Sequence, residues 1–153
     1  MKPLSHFIFG IIFSLLLFLI FPKMGLLGFL LIVFSSVLID FDHYVYYVLR
    51  KKDFSLKNAY NWFIQNEQKY LSLSSSERKQ IYPSLCLIHT FEFLILFALL
   101  IFYSHVFLFI LTGFIFHLFL DFVYAVYSHV EGHDISAVYN CIKSRRLKHI
   151  EDI

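Results

Sequence analysis

Charge is what this chain has least of. Only 16% of its 153 residues are charged and 59% are hydrophobic, with a mean hydropathy of +0.69. A soluble domain carries about 25% charged residues. A soluble fold is therefore excluded, and one membrane domain, 1–153, leaves no room for a second sizeable core. The net charge of +2 gives no electrostatic footprint for nucleic acid. Two cysteines, Cys86 and Cys141, are too few for a disulfide framework, and their spacing does not suit a metal knuckle. They read as ordinary apolar or interfacial residues.

What is present is long apolar sequence. Phe7–Phe21, Met24–Ile39, Leu85–Phe102 and Val106–Tyr127 stand out. A span needs about 20 residues, and the first two reach that length when extended to Pro3 and Tyr47. Pro22-Lys23 and Tyr103-Ser104-His105 form the tight turns. The expected fold is an all-α integral membrane protein with four transmembrane helices as two hairpins, spanning about 3–21, 24–47, 85–102 and 106–127. Lys2 before an apolar core resembles a signal peptide, but no small-x-small site follows, so a retained helix is expected.

Between the hairpins, residues 48–84 read as an interfacial segment. Leu56, Ala59, Tyr60, Phe63, Tyr70 and Leu71 recur at helical spacing, and tyrosines and Trp62 beside Lys and Arg suit a helix in the headgroup region. Ser74 and Glu77 give an S-x-x-E helix start. In the tail, 128–153, Ile135, Val138, Tyr139 and Ile142 share a helical face ahead of Lys143, Arg145, Arg146 and Lys148, which predicts a second interfacial helix. Twelve of the 13 Lys and Arg fall on the side holding the termini and the central segment, and Lys23 alone on the other. The positive-inside rule then places both termini in the cytoplasm, in a plasma or inner membrane.

The ionisable residues of the apolar stretches fall toward that same side. His6 starts the first span; Asp40, Asp42 and His43 end the second; His89 and Glu92 enter the third; His117 and Asp121 lie in the near half of the fourth. His117 and Asp121, four apart, stand one above the other on a helix, and His89 and Glu92 are neighbours at three. Asp40 and His43 share a face if the second helix continues that far. Asp42 points away, and either serves a second metal or caps a turn beginning at His43. A buried carboxylate costs roughly 2.5–3.5 kcal/mol at mid-bilayer, and no Lys or Arg lies within any proposed span to offset it. A bound cation is the expected compensation. His and carboxylate donors without Cys suit Zn²⁺, with Mn²⁺ or Fe²⁺ as alternatives, as one ion or two. The expected ligands are His6, Asp40, Asp42, His43, His89, His117 and Asp121. His129, Glu131, His133 and Asp134 read as solvated loop, and His105 and His149 have no evident partner.

The ordered set "SHFIFG", "LIDFDH", "LIHTFEF" and "GFIFHLFLD" resembles the membrane-bound metal-dependent hydrolases that include an SOS-regulated bacterial inner-membrane group. Ile39 stands where that pattern has proline, Phe91 and Phe116 where it has serine, and "YPSLCLIHT" lacks its His-Arg pair. The resemblance implies a multi-helix membrane protein with a metal centre and a distant kinship to zinc-dependent phospholipase C.

The expected activity is metal-dependent hydrolysis at the inner leaflet of a lipid-like phosphoester, with Glu92 as general base and Asp42 as a second candidate for that role. The aromatic, basic central segment would hold an anionic headgroup. A metal or proton transporter is the alternative, as is a helical scaffold with a structural metal. The outer halves of the spans are interrupted only by Ser14, Ser35, Ser36 and Thr112, which argues against a pore unless an oligomer builds one.

Overall fold

In lipid the backbone must satisfy its own N–H and C=O groups, and uninterrupted Leu, Ile, Phe and Val leave helix as the available solution. The computed structural model describes residues 3–82, 88–128 and 136–152. The chain divides into two compact units, the first of residues 1–40 and 91–129, the second of 41–90 and 130–153.

In the first unit, α1 (Pro3–Ile20) ends at a 3₁₀ turn, Pro22–Met24, and α2 (Gly25–Leu38) follows. After 90 come α6 (Phe91–Leu100) and α7 (Val106–Tyr127). Packing is inverted relative to a soluble protein. Leu16, Leu19, Leu27 and Phe122 point outward, whereas His6, Ser14, Ser35, Ser36 and His117 are buried. Close helix approach substitutes for a hydrophobic driving force. A Cβ on Gly10 would meet Ser36 Oγ, and one on Gly113 would meet Ser35 Oγ and lie 2.6 Å from the Ile32 carbonyl oxygen. Glycine at both positions therefore lets α1 and α7 seat directly on α2. Phe13 stacks on Phe116 at 4.0 Å, and Phe93 and Phe97 of α6 pack against Phe114 of α7.

Three described helical stretches are long and apolar enough to cross a membrane: Pro3–Ile20, Pro22–Lys51 and Val106–Tyr127. In the third expected span, 85–102, the described helix α6 has only ten residues. At about 1.5 Å per residue it covers about half of a 30 Å hydrocarbon core. Residues 85–87 of that expected span lie outside the described residues. The second expected span also differs, since the helix breaks at a turn over Ile39–Asp40 and α3 (Phe41–Lys51) starts afresh.

The second unit comprises α3, α4 (Leu56–Ser72), α5 (Ser75–Arg78), β1 (Ile81–Tyr82), α8 (Ala137–Arg146), β2 (Lys148–His149) and a 3₁₀ turn, Ile150–Asp152. The S-x-x-E signal forms as read: Ser74 Oγ accepts from the Glu77 amide and the Glu77 carboxylate accepts from the Ser74 amide, the reciprocal bonds of a capping box. The tail helix forms too, with Val138, Tyr139 and Ile142 exposed. Trp62 has partners within the chain. It is buried with Tyr47 and Ala59, and its indole N–H donates to Glu151. His149, which had no evident partner in the sequence, is 1% exposed and stacks on Trp62 at 5.8 Å.

Glu151 is the electrostatic anchor of this unit. Burial alone would raise its pKa, but hydrogen bonds from Lys51, Arg50 and Trp62 outweigh that and hold it at about 2, below its ordinary 4.5. A carboxyl group with a depressed folded pKa binds protons more weakly folded than unfolded. Its stabilisation is present above pH 4.5 and is lost as pH falls toward about 2. The sole tryptophan, Trp62, reports this contact. Its emission should shift on acidification across that window in the wild type, and the step should be absent in Glu151→Gln. A step of equal size in the variant would contradict the assignment.

Candidate metal centre

The first unit brings His6, Asp40, His117 and Asp121 together. Each histidine lies one helical turn from a close-approach glycine, His6 four residues before Gly10 and His117 four after Gly113. The contacts that seat α1 and α7 on α2 thus bring the two imidazoles face to face. Their centroids are 3.8 Å apart and their planes 17° from parallel, and both residues are fully buried.

His117 fixes the polarity of the cluster. Its Nδ1 lies 2.8 Å from the Ser36 carbonyl oxygen, which can only accept, so Nδ1 carries the proton. Its Nε2 then faces Asp121 Oδ2 at 3.0 Å and Asp40 Oδ1 at 3.5 Å. The other Asp121 oxygen, Oδ1, is 3.1 Å from His6 Nε2. His6 Nδ1 is buried with no hydrogen-bond partner among the described residues. A backbone carbonyl that sets the tautomer and leaves the second nitrogen for an ion is how ligating histidines are commonly held.

Charge supports a cation. Two carboxylates meet two imidazoles, and α1, α2, α6 and α7 contain no Lys or Arg. Protonating both stacked imidazoles would place two positive charges about 4 Å apart, a repulsion of about 4 kcal/mol at an effective dielectric of about 20. One proton leaves the cluster net negative, whereas a divalent ion neutralises it. Size agrees as well. For bonds of about 2.0–2.1 Å, tetrahedral zinc separates its ligand atoms by about 3.3 Å. The observed separations are 3.0, 3.1 and 3.5 Å. His6, Asp40 and His117 also offer atoms all within 4.8 Å of one another. These residues can hold a metal ion.

The second unit has its own cluster. Asp42, in the first turn of α3, is buried. Its Oδ2 accepts from the Ile88 amide and lies 3.1 Å from His89 Nδ1. His43 Nδ1 is 3.9 Å from Asp42 Oδ1, and the His43 and His89 rings are 4.9 Å apart. Asp42 thus orients His89 and leaves that ring's Nε2 as its remaining donor atom.

His89 sits in a bend before α6, whereas Glu92 lies in the first turn of α6, so the two do not share a helix. Likewise Asp40 and His43 do not share a helix, because Asp40 closes the turn after α2. His129, Glu131, His133 and Asp134 lie outside the described residues. The Ser36 carbonyl was missed because backbone partners leave little trace in sequence. The signal was the Ser35-Ser36 pair opposite two glycines spaced four from histidine. No protein-family model, curated protein or solved structure matches the chain.

Metal content of the detergent-purified protein should fall in His117→Ala and in Gly113→Ala, the latter without removal of any donor atom. His105→Ala should retain it. Stoichiometric metal in a His117/Asp121 double variant would contradict the site.

Proposed function

We propose that the protein is a metal-dependent hydrolase of the membrane surface, acting on a phosphoester of lipid character, with its metal centre toward the cytoplasm. The observation that carries this reading is His117, its tautomer fixed by the Ser36 carbonyl and its Nε2 aimed at two carboxylates inside an apolar helix bundle. The nitrogen and oxygen donor set fits zinc best, with manganese or iron as alternatives. When bound, the metal supplies a water ionisable near neutral pH and a Lewis acid for the phosphoryl oxygen.

The chain's own residues do the rest. His6, Asp40, His117 and Asp121 hold the ion. Water adds to phosphorus, the ester oxygen leaves, and a carboxylate takes the proton of the attacking water. Glu92 is our assignment for that base. It is only partly buried in the first turn of α6 and is the only acidic residue of that helix. Asp42, bonded to the Ile88 amide and to His89, acts as an orienter in this reading. The basic asymmetry of the sequence supports cytoplasmic termini. The placement of the donors on or beside long apolar helices and the resemblance of the sequence pattern support a lipid-like substrate.

Hydroxyl pairing weighs against a transporter, which needs polar groups free along a path. Ser14 donates to the Phe29 carbonyl, Ser35 and Ser36 to carbonyls of their own helix, and Thr112 to Leu108.

Glu92→Gln should keep the metal while turnover of a phospholipid-like substrate drops about 10²–10⁴-fold. Loss of metal in that variant would make Glu92 a ligand instead. If the metal-loaded wild type cleaves no phosphoester across a broad substrate screen, the hydrolase reading fails.

A further inference from the structure

The carboxyl-terminal strap, Leu147–Asp152, touches two other segments of the second unit. One is α3, which carries Asp42 and His43 at its start and Arg50 and Lys51 at its end. Glu151 receives Arg50 Nε at 2.9 Å, Lys51 Nζ at 2.5 Å and the Trp62 indole N–H. Asp152 adds a contact to Arg50 at 3.5 Å. The other segment is β1, which pairs in parallel with β2, Ile81 opposite Lys148 and Tyr82 opposite His149. His89 follows Tyr82 by seven residues in the chain.

The strap is built in rather than draped over the surface. Ile150 is fully buried against Tyr70 and Ile81. His149 lies between Trp62 and Tyr82, its ring 5.8 Å and 5.2 Å from theirs. Asp42 and Arg50 are eight residues apart on one helix, about 12 Å at 1.5 Å rise per residue. A helix of that length transmits a shift at its pinned end to its start. The contact at that start is narrow: Asp42 Oδ2 meets the Ile88 amide and His89 Nδ1, each at 3.1 Å.

We propose that Glu151 is a positioning residue: by pinning the end of α3, the strap keeps Asp42 in register with Ile88 and His89 and so orients the His89 ring. The alignment is independent of any ion. The effect of Glu151 passes through helix α3, so alignment should fail before the fold does.

The test uses the full-length protein in detergent, with histidine ring nitrogens followed by ¹⁵N NMR without metal, then Co²⁺ titration. In Glu151→Ala the hydrogen-bonded Nδ1 signal of His89 should be lost or broadened, while the His117 Nδ1 signal, held by the Ser36 carbonyl, stays. Co²⁺ held by His6, Asp40, His117 and Asp121 should stay bound. Glu151→Gln, which retains an acceptor oxygen for Trp62, should lie between in its His89 signal. If Glu151→Ala loses both histidine signals it has unfolded, and Glu151→Gln decides. An unchanged His89 signal in the folded variants overturns the proposal. Wild-type protein that binds no Co²⁺ but loses the His89 signal in Glu151→Ala defeats the metal reading and leaves the strap's role standing.

Discussion

Everything in the first unit depends on the hydrogen bond from His117 Nδ1 to the Ser36 carbonyl. A backbone carbonyl deep in an apolar bundle is an obligatory acceptor, and α2 can offer it sideways only because Gly113 lets α7 approach closely. Once the bond forms, the other nitrogen of the ring is committed to the carboxylates. The second imidazole is then brought against the first by the matching approach of α1 at Gly10. Helix packing, tautomer and ligand geometry are thus one constraint. Lipid supplies no water to relieve it, and a buried carboxylate without compensation is costly in such a setting.

The two clusters differ in how they are built. The first rests on apolar helices with buried polar groups, Ser35 and Ser36 returned to carbonyls of their own helix and Ser14 bonded across to α2. The second rests on a soluble-type arrangement of short helices, a two-residue strand pair and a partly buried carboxylate–guanidinium contact. Asp40 and Asp42 stand on either side of the boundary between these units, two residues apart in the chain.

How much of this was legible follows from the physics of each element. His117 and Asp121 were readable because spacing of four on an uninterrupted helix fixes their relation. The capping box at Ser74 and Glu77 was readable because both partners are local. The break at Ile39–Asp40 was not, since apolar periodicity runs through it and no proline marks it. The same holds for Thr90–Phe91, where α6 begins only after His89. Trp62 looked interfacial because its neighbours are basic and aromatic. Its partners Glu151 and His149 lie nearly ninety residues later, and long-range pairs of that kind leave no periodic signature. The three long helices were evident from composition, whereas the brevity of α6 was hidden by apolar residues on either side of it.

The central claim is that the buried His6, Asp40, His117 and Asp121 cluster is a metal centre. X-ray absorption at the metal edge of the purified wild-type protein tests it most directly. The expected result is a first shell of nitrogen and oxygen at about 2.0–2.1 Å, with the outer-shell scattering of at least two imidazoles. A protein that carries no metal after exposure to zinc, manganese or iron, or a metal shell without imidazole, would contradict it.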